Sequence, residues 1–159
     1  MNWLKSLNEI LSLRKELKSV NKKVVFTNGC FDIIHAGHID YLNKAKELGN
    51  VLIVGVNSDV SVKKNKDNNR PIIPERDRTL IVSNLKPVDY VVLFDEETPE
   101  NLISKIIPDI LVKGADWDID EIVGKDIVLK NGGEVKSIEF VIQQSTSKII
   151  ESIISKYNG

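Results

Sequence analysis

Val51-Leu52-Ile53-Val54-Gly55-Val56 is apolar along almost its whole length. A strand with one wet face alternates apolar and polar side chains, whereas one covered on both faces does not. The run therefore predicts a strand inside a parallel sheet. A second run, Val24-Val25-Phe26-Thr27-Asn28, is short, β-branched and aromatic, and ends at Gly29. Further runs at 90–94, 110–112 and 134–141 read the same way. Between them the period changes. Ile39, Leu42, Ala45, Lys46 and Leu48 follow at helical spacing and stop at Gly49, a suitable C′ residue. Thr98-Pro99-Glu100 offers an N-cap, a proline at the first helical position and an acid in the first turn. Ser145 or Thr146 can cap a last helix carrying Ile149, Ile150, Ile153 and Ile154. Strands separated by helices require βαβ crossovers, so the expectation is an α/β fold: a mostly parallel sheet with helices on both faces. Residues 22–159 are expected to form that single domain, preceded by a helical segment at 1–21.

The rest of the composition narrows the class. The chain has 159 residues, 42% hydrophobic and 28% charged, which suits one globular domain and excludes a disordered or fibrous chain. Lys and Arg number 22 against 23 Asp and Glu, a balance that argues against a nucleic-acid binder. The one cysteine, Cys30, cannot form an internal disulfide, which points to a reducing compartment. No apolar run approaches the ~20 residues of a membrane span. Met1-Asn2-Trp3-Leu4-Lys5 lacks the apolar core of a secretory signal. A cytoplasmic protein with no nucleic-acid or membrane partner is expected. The amphipathic segment at 3–17 can cover this domain or a second copy in a homo-oligomer.

The chemistry gathers after the first long strand, in Phe26-Thr27-Asn28-Gly29-Cys30-Phe31-Asp32-Ile33-Ile34-His35-Ala36-Gly37-His38. Both histidines of the chain lie here, three apart. If a helix begins near Ala36, His35 and His38 share one side of its first turn. The backbone N–H groups there point the same way and suit phosphate oxygens, and Gly37 lets a ligand approach between them. Imidazoles so placed can donate to a phosphate and stabilise charge in a transition state. A zinc pair with Cys30 or Asp32, or plain surface histidines, are the competing readings. No second cysteine or third histidine exists to complete a usual zinc set. The stretch 57–74 is polar, rich in Asn and Lys and too long for an ordinary connection. It follows a strand at the end where open α/β sheets bind ligands. Arg76 and Arg78 open the next helix, where an ordinary solvated start is expected.

The run from Gly29 to His38 resembles the signature of the HxGH nucleotidyltransferases, a Rossmann-like superfamily that moves a nucleotidyl group onto a phosphate. Segments 24–38, 52–59, 88–95, 111–117, 132–135 and 145–150 resemble the adenylyltransferase domain of the bifunctional ADP-heptose synthases. That resemblance implies transfer of AMP from ATP to D-glycero-β-D-manno-heptose 1-phosphate, with release of pyrophosphate. It also implies that the sugar-kinase domain of the fused enzymes is absent from this sequence. Catalytic roles are implied for His35, His38 and Lys66, the last in a position that contacts the triphosphate. Nucleotide contacts are implied for Gly29, Cys30, Phe31, Lys64, Lys113, Gly114, Asp116, Ser145, Thr146 and Ser147, and acceptor phosphate or sugar contacts for Asp32 and Arg70. Two departures from the family pattern stand out: Ala115 replaces a second glycine, and Gln143-Gln144 replaces a glycine and an aromatic residue. Related glycerol-phosphate cytidylyltransferases carry an arginine where this chain has Phe140, which tilts the base toward adenine.

A phosphate nucleophile is already ionised at neutral pH, since its second pKa is ~6, so no strong general base is required. Positioning and electrostatic stabilisation are expected to carry the catalysis. Mg²⁺ is expected to arrive with ATP rather than in a resident site, because no cluster of metal-binding carboxylates is evident in the sequence. Two other readings stay open: a cytidylyltransferase acting on glycerol 3-phosphate or a similar alcohol phosphate, and a non-catalytic nucleotide-binding regulator. A dinucleotide oxidoreductase is disfavoured, because the turn after the first long strand has one glycine and no G-x-G-x-x-G.

Overall fold

The computed structural model describes residues 4–114, 118–142 and 144–157. Its elements in chain order are β1 (Leu4–Lys5), α1 (Leu7–Ser19), β2 (Val24–Gly29), α2 (Ala36–Glu47), β3 (Val51–Asn57), α3 (Asp59–Asn65) and α4 (Glu75–Ser83). They continue with β4 (Tyr90–Phe94), α5 (Glu100–Ile106), β5 (Ile110–Gly114), a 3₁₀ turn (Ile119–Glu121), α6 (Lys125–Lys130), β6 (Glu134–Ile138) and α7 (Thr146–Tyr157). The strands form one sheet in the order β1-β4-β3-β2-β5-β6, and every pairing is parallel. From β2 the chain adds β3 and β4 on one side, then crosses to β5 and β6 on the other. The direction of growth therefore reverses between β2 and β5, the crevice where such sheets hold ligands.

The period-2 geometry of a strand divides the apolar runs between two cores. Val24, Phe26, Val51, Ile53, Val92, Phe94 and Leu111 face α1, α5 and α6, packing on Ile10, Leu102, Ile103, Ile106 and Val128. Val25, Leu52, Val54, Val56, Val91, Ile110 and Val112 face α2 and α4, packing on Tyr41, Leu42, Ala45 and Val82. This is why Val51 to Asn57 is buried without interruption. Gly55 belongs to the same packing, because a Cβ there would stand 2.9 Å from the Phe26 ring.

Several boundaries differ from expectation. The N-terminal segment supplies a two-residue edge strand, with Leu4 opposite Val91, before its helix. A strand that short has no period to read. Ser6 and Glu9 then form a capping box, and Ile10 is fully buried, so α1 covers this domain. The long polar stretch is not all loop: its first part is α3, capped by Ser58. The helix after Thr98 starts one residue late, with Pro99 at its N-cap. The last strand ends at Ile138 rather than 141. Among the described residues no helix is long and apolar enough to cross a membrane.

Candidate active site

The reversal point opens into a cleft of about 780 Å³. Asn28, Gly29 and Cys30 from the end of β2, and Lys113 and Gly114 from the end of β5, form its floor. The Lys113 ammonium lies 3.5 Å from the Asn28 carbonyl, so the two strand ends are bridged directly.

His35 is the N-cap of α2 and His38 sits in its first turn, as the spacing predicts. Their rings stack with centroids 3.9 Å apart and planes inclined by 26°. Phe31 leans on the second ring at 5.3 Å. Phe31 takes up a left-handed backbone (φ 48°), and its ring fills the space a Cβ on Gly29 would need, at 3.0 Å. Burial pushes the His35 pKa down. Burial first, and the neighbouring His35 second, push that of His38 down to about 4. Both rings are therefore neutral at pH 7. Each Nδ1 is buried and has no hydrogen-bond partner among the described residues.

No side chain caps α2, and its first turn carries no acid, so the positive end of the helix faces the cleft uncompensated. α7 arrives from across the cleft, and its first turn likewise carries no acid. Its end is anchored where Thr146 Oγ1 donates to the Ile33 carbonyl at 3.4 Å. Ser145 caps it through the Lys148 N–H, and Ser145, Thr146, Ser147 and Lys148 all line the cleft. Two helix N-termini, two imidazoles and the cations Lys66 and Lys113 thus converge on one space. That arrangement has the chemistry to receive polyanions.

Gly37 does not leave the room expected for a ligand between the histidines. A Cβ on it would stand 3.0 Å from the His35 Nδ1 and 3.1 Å from the Ile142 carbonyl, so protein fills that space. Lys64 lies outside the cleft lining, and its ammonium donates to the Asp95 carbonyl at 3.3 Å. Lys66 lines the cleft, at the C-cap of α3. Asp116 and the departures at Ala115 and Gln143 lie outside the described residues. Asp32 and Arg70 border the cleft but are paired with each other, Nε to Oδ2 at 2.5 Å.

Arg78 corrects the expectation of a solvated helix start. It has no exposed surface at all. Its guanidinium donates to the carbonyls of Ile73 (2.9 Å), Cys30 (2.6 Å) and Asn57 (2.7 Å), and to the Asp59 carboxylate (2.8 Å). One side chain thus ties the exits of β2 and β3 to the starts of α3 and α4, holding the cleft floor. Burial pushes the Cys30 thiol up, only partly countered by Lys66, Arg78 and Arg70, so this thiol is not activated. Among the described residues no group of three His, Cys, Asp or Glu side chains is placed to hold a metal ion, and the Asp32 oxygens are taken by Arg70, Ile72 and Ile73. Sequence reasoning passed over Asn28, Glu97, Glu121 and Lys148 as cleft residues. For Asn28 the signal was available, as the last side chain before a strand-end glycine.

A pH prediction follows from the histidine pair. In the free protein the His38 ring should titrate near pH 4, against the ordinary 6.5. The unfolded chain then binds that proton more tightly, so this contribution to stability is undiminished above about 6.5 and falls as the pH drops toward 4. A ¹⁵N-resolved NMR titration checks it, and a midpoint at or above 6.5 would contradict the buried stack.

A doubly wound parallel sheet with a cleft of this kind at its reversal point defines a Rossmann-like α/β domain. The chain belongs to the cytidylyltransferase-like family, whose pattern matches residues 26–154. It is 49% identical over 154 residues to the bifunctional protein HldE of Citrifermentans bemidjiense, spanning 97% of this chain and 32% of that protein. With the bifunctional protein HldE of Campylobacter curvus the identity is 56% over 145 residues, spanning 91% of this chain and 29% of that one. The chain thus spans about 30% of the length of these relatives. The lipopolysaccharide core biosynthesis protein from Thermoplasma volcanium superimposes with a TM-score of 0.64 at 33% identity, over 77% of this chain and 99% of that one. A pantoate-beta-alanine ligase from Francisella tularensis shares the fold, with a TM-score of 0.61 at 16% identity, over 91% of this chain and 69% of that one.

Proposed function

We propose that this domain transfers the adenylyl group of MgATP to the phosphate of D-glycero-β-D-manno-heptose 1-phosphate, giving ADP-heptose and pyrophosphate. The observation that carries a nucleotidyl transfer is the stacked imidazole pair at the uncapped end of α2, facing the N-terminus of α7 across the cleft. The similarity to bifunctional HldE proteins and to a lipopolysaccharide core biosynthesis protein supports the sugar phosphate as acceptor. Phe140 stacks on Tyr41 with centroids 5.4 Å apart and lines the cleft, an apolar surface that favours a purine.

An acceptor phosphate oxygen attacks the α-phosphorus in line, forming the new P–O bond as the bond to the β-phosphate oxygen breaks. The electron pair leaves with pyrophosphate. The acceptor is already anionic, so the protein supplies no general base. Its work is to hold two polyanions together and to stabilise the charge that gathers on the transferring group. His35 and His38, neutral before binding, donate N–H bonds to phosphate oxygens, and Lys66 and Lys113 add positive charge. The amides of α2 and α7 complete the cradle. Magnesium enters on the triphosphate as part of the substrate.

The test is pyrophosphate release from ATP and from CTP, each with heptose 1-phosphate, mannose 1-phosphate and glycerol 3-phosphate. Turnover is expected with ATP and heptose 1-phosphate at least tenfold above every other pair. The family's cytidylyltransferase-like description supports a second reading, transfer of CMP to an alcohol phosphate. Preference for CTP and glycerol 3-phosphate would establish it. No release with any pair would leave a nucleotide-binding regulator.

A further inference from the structure

We propose that Asp32 is a positioning residue: it fastens the segment between α3 and α4 so that the Arg70 guanidinium is aimed into the cleft as the docking group for the acceptor's phosphate, without itself touching substrate. This rests on the transferase reading above and deepens it.

The Asp32 side chain has no exposed surface, and both of its oxygens are taken. Oδ1 accepts the Ile72 N–H at 2.9 Å and the Ile73 N–H at 2.8 Å. Oδ2 accepts the Ile72 N–H at 3.0 Å and Arg70 Nε at 2.5 Å. A carboxylate with its lone pairs so used has nothing left for a hydroxyl, and facing a phosphate dianion it would repel. Burial alone would raise its pKa, but the Ile73 and Ile72 amides and the Arg70 guanidinium outweigh burial and hold it below the usual carboxylate range. It stays an anion, and its partners are all on one segment.

That segment has no helix or strand between Asn65 and Glu75, and residues 66–69 are exposed. Without a tether the Arg70 side chain would have to be ordered at each binding event, at the cost of its rotamer freedom. The tether crosses 38 residues of sequence and engages only Nε. A guanidinium carries five N–H donors, so the terminal nitrogens of the fork remain for a phosphate, which Arg binds in a bidentate manner. Arg70 lines the cleft beside Lys66. The Asp32–Arg70 pair is neutral in sum, so it contributes orientation, while Lys66 contributes net charge. Asp32 thus leaves the expected set of substrate contacts, and Arg70 stays in it.

The experiment compares Asp32→Asn, Arg70→Ala, Arg70→Lys and the double variant Asp32→Asn/Arg70→Ala in the full chain. Asp32→Asn should raise the KM for the acceptor about ten- to a hundredfold, the worth of one or two charge-assisted hydrogen bonds, with kcat and the KM for ATP changed less than about threefold. Arg70→Ala should match it, the double variant should add little, and Arg70→Lys should recover only part of the loss. In the free protein, Asp32→Asn should speed hydrogen exchange at the Ile72 and Ile73 amides. Parallel rises in both KM values overturn the proposal in favour of a purely structural ion pair, and losses that add in the double variant overturn it by showing that the two residues act independently. An unchanged acceptor KM despite faster exchange also overturns it. Wild-type protein that releases no pyrophosphate with any acceptor overturns the transferase reading and the docking role together, which is a different result from either.

Discussion

Arg78→Ala is expected to destabilise the folded chain by about 3–5 kcal/mol, because it strips a buried donor from three backbone carbonyls, at about 1 kcal/mol or more each, and leaves a cavity. Arg78 is fully buried and donates to three carbonyls and the Asp59 carboxylate. Its removal leaves the carbonyls of Cys30, Asn57 and Ile73 without this donor and a cavity among them. Among the described residues the Asp59 carboxylate would keep the Glu75 N–H, at 2.9 Å. Arg78→Lys should restore less than half of the loss, because one ammonium on a flexible stem cannot span four acceptors held in a fork geometry. Chemical or thermal unfolding of the two variants checks both statements. A midpoint for Arg78→Ala within about 0.5 kcal/mol of wild type, the range of ordinary surface substitutions, would show that the cleft floor does not depend on this residue.

His38→Ala is expected to lower turnover by about two to three orders of magnitude, the effect of losing one donor aimed at transition-state charge. The fold should survive, since the ring's Nδ1 has no hydrogen-bond partner to lose and α2 is held by Tyr41, Leu42 and Ala45 in the core. Circular dichroism and unfolding separate the two effects. A stably folded variant with near wild-type turnover removes His38 from the mechanism. His38→Gln keeps an N–H donor and should recover part of the rate.

The two predictions differ in how far the sequence foreshadowed them. His35 and His38 are three apart at a strand-to-helix turn, and three residues bring two side chains onto one face of any helix. The stack follows from local geometry alone. Arg78 gave no such sign. A basic residue in the first turn of a helix reads as solvated, and its burial depends on carbonyls up to 48 residues away. Lys64 was no more legible. It belongs to a run of basic residues that suggested phosphate contact, yet the C-terminal turn of α3 carries it to the Asp95 carbonyl.

The sequence by itself determined the long strands, their parallel pairing, and the strand-to-helix turn after β2 that carries both histidines. Hydrophobic period and turn residues are local properties, and they state which side of an element is covered. The tertiary structure alone decided what covers each charged group. Asp32 meets Arg70 across 38 residues, and Thr146 meets the Ile33 carbonyl across 113. The reversal between β2 and β5 brings Asn28 and Lys113 to one floor. A polar side chain carries no mark of its partner, because buried charges are satisfied by whatever the crossover connections deliver.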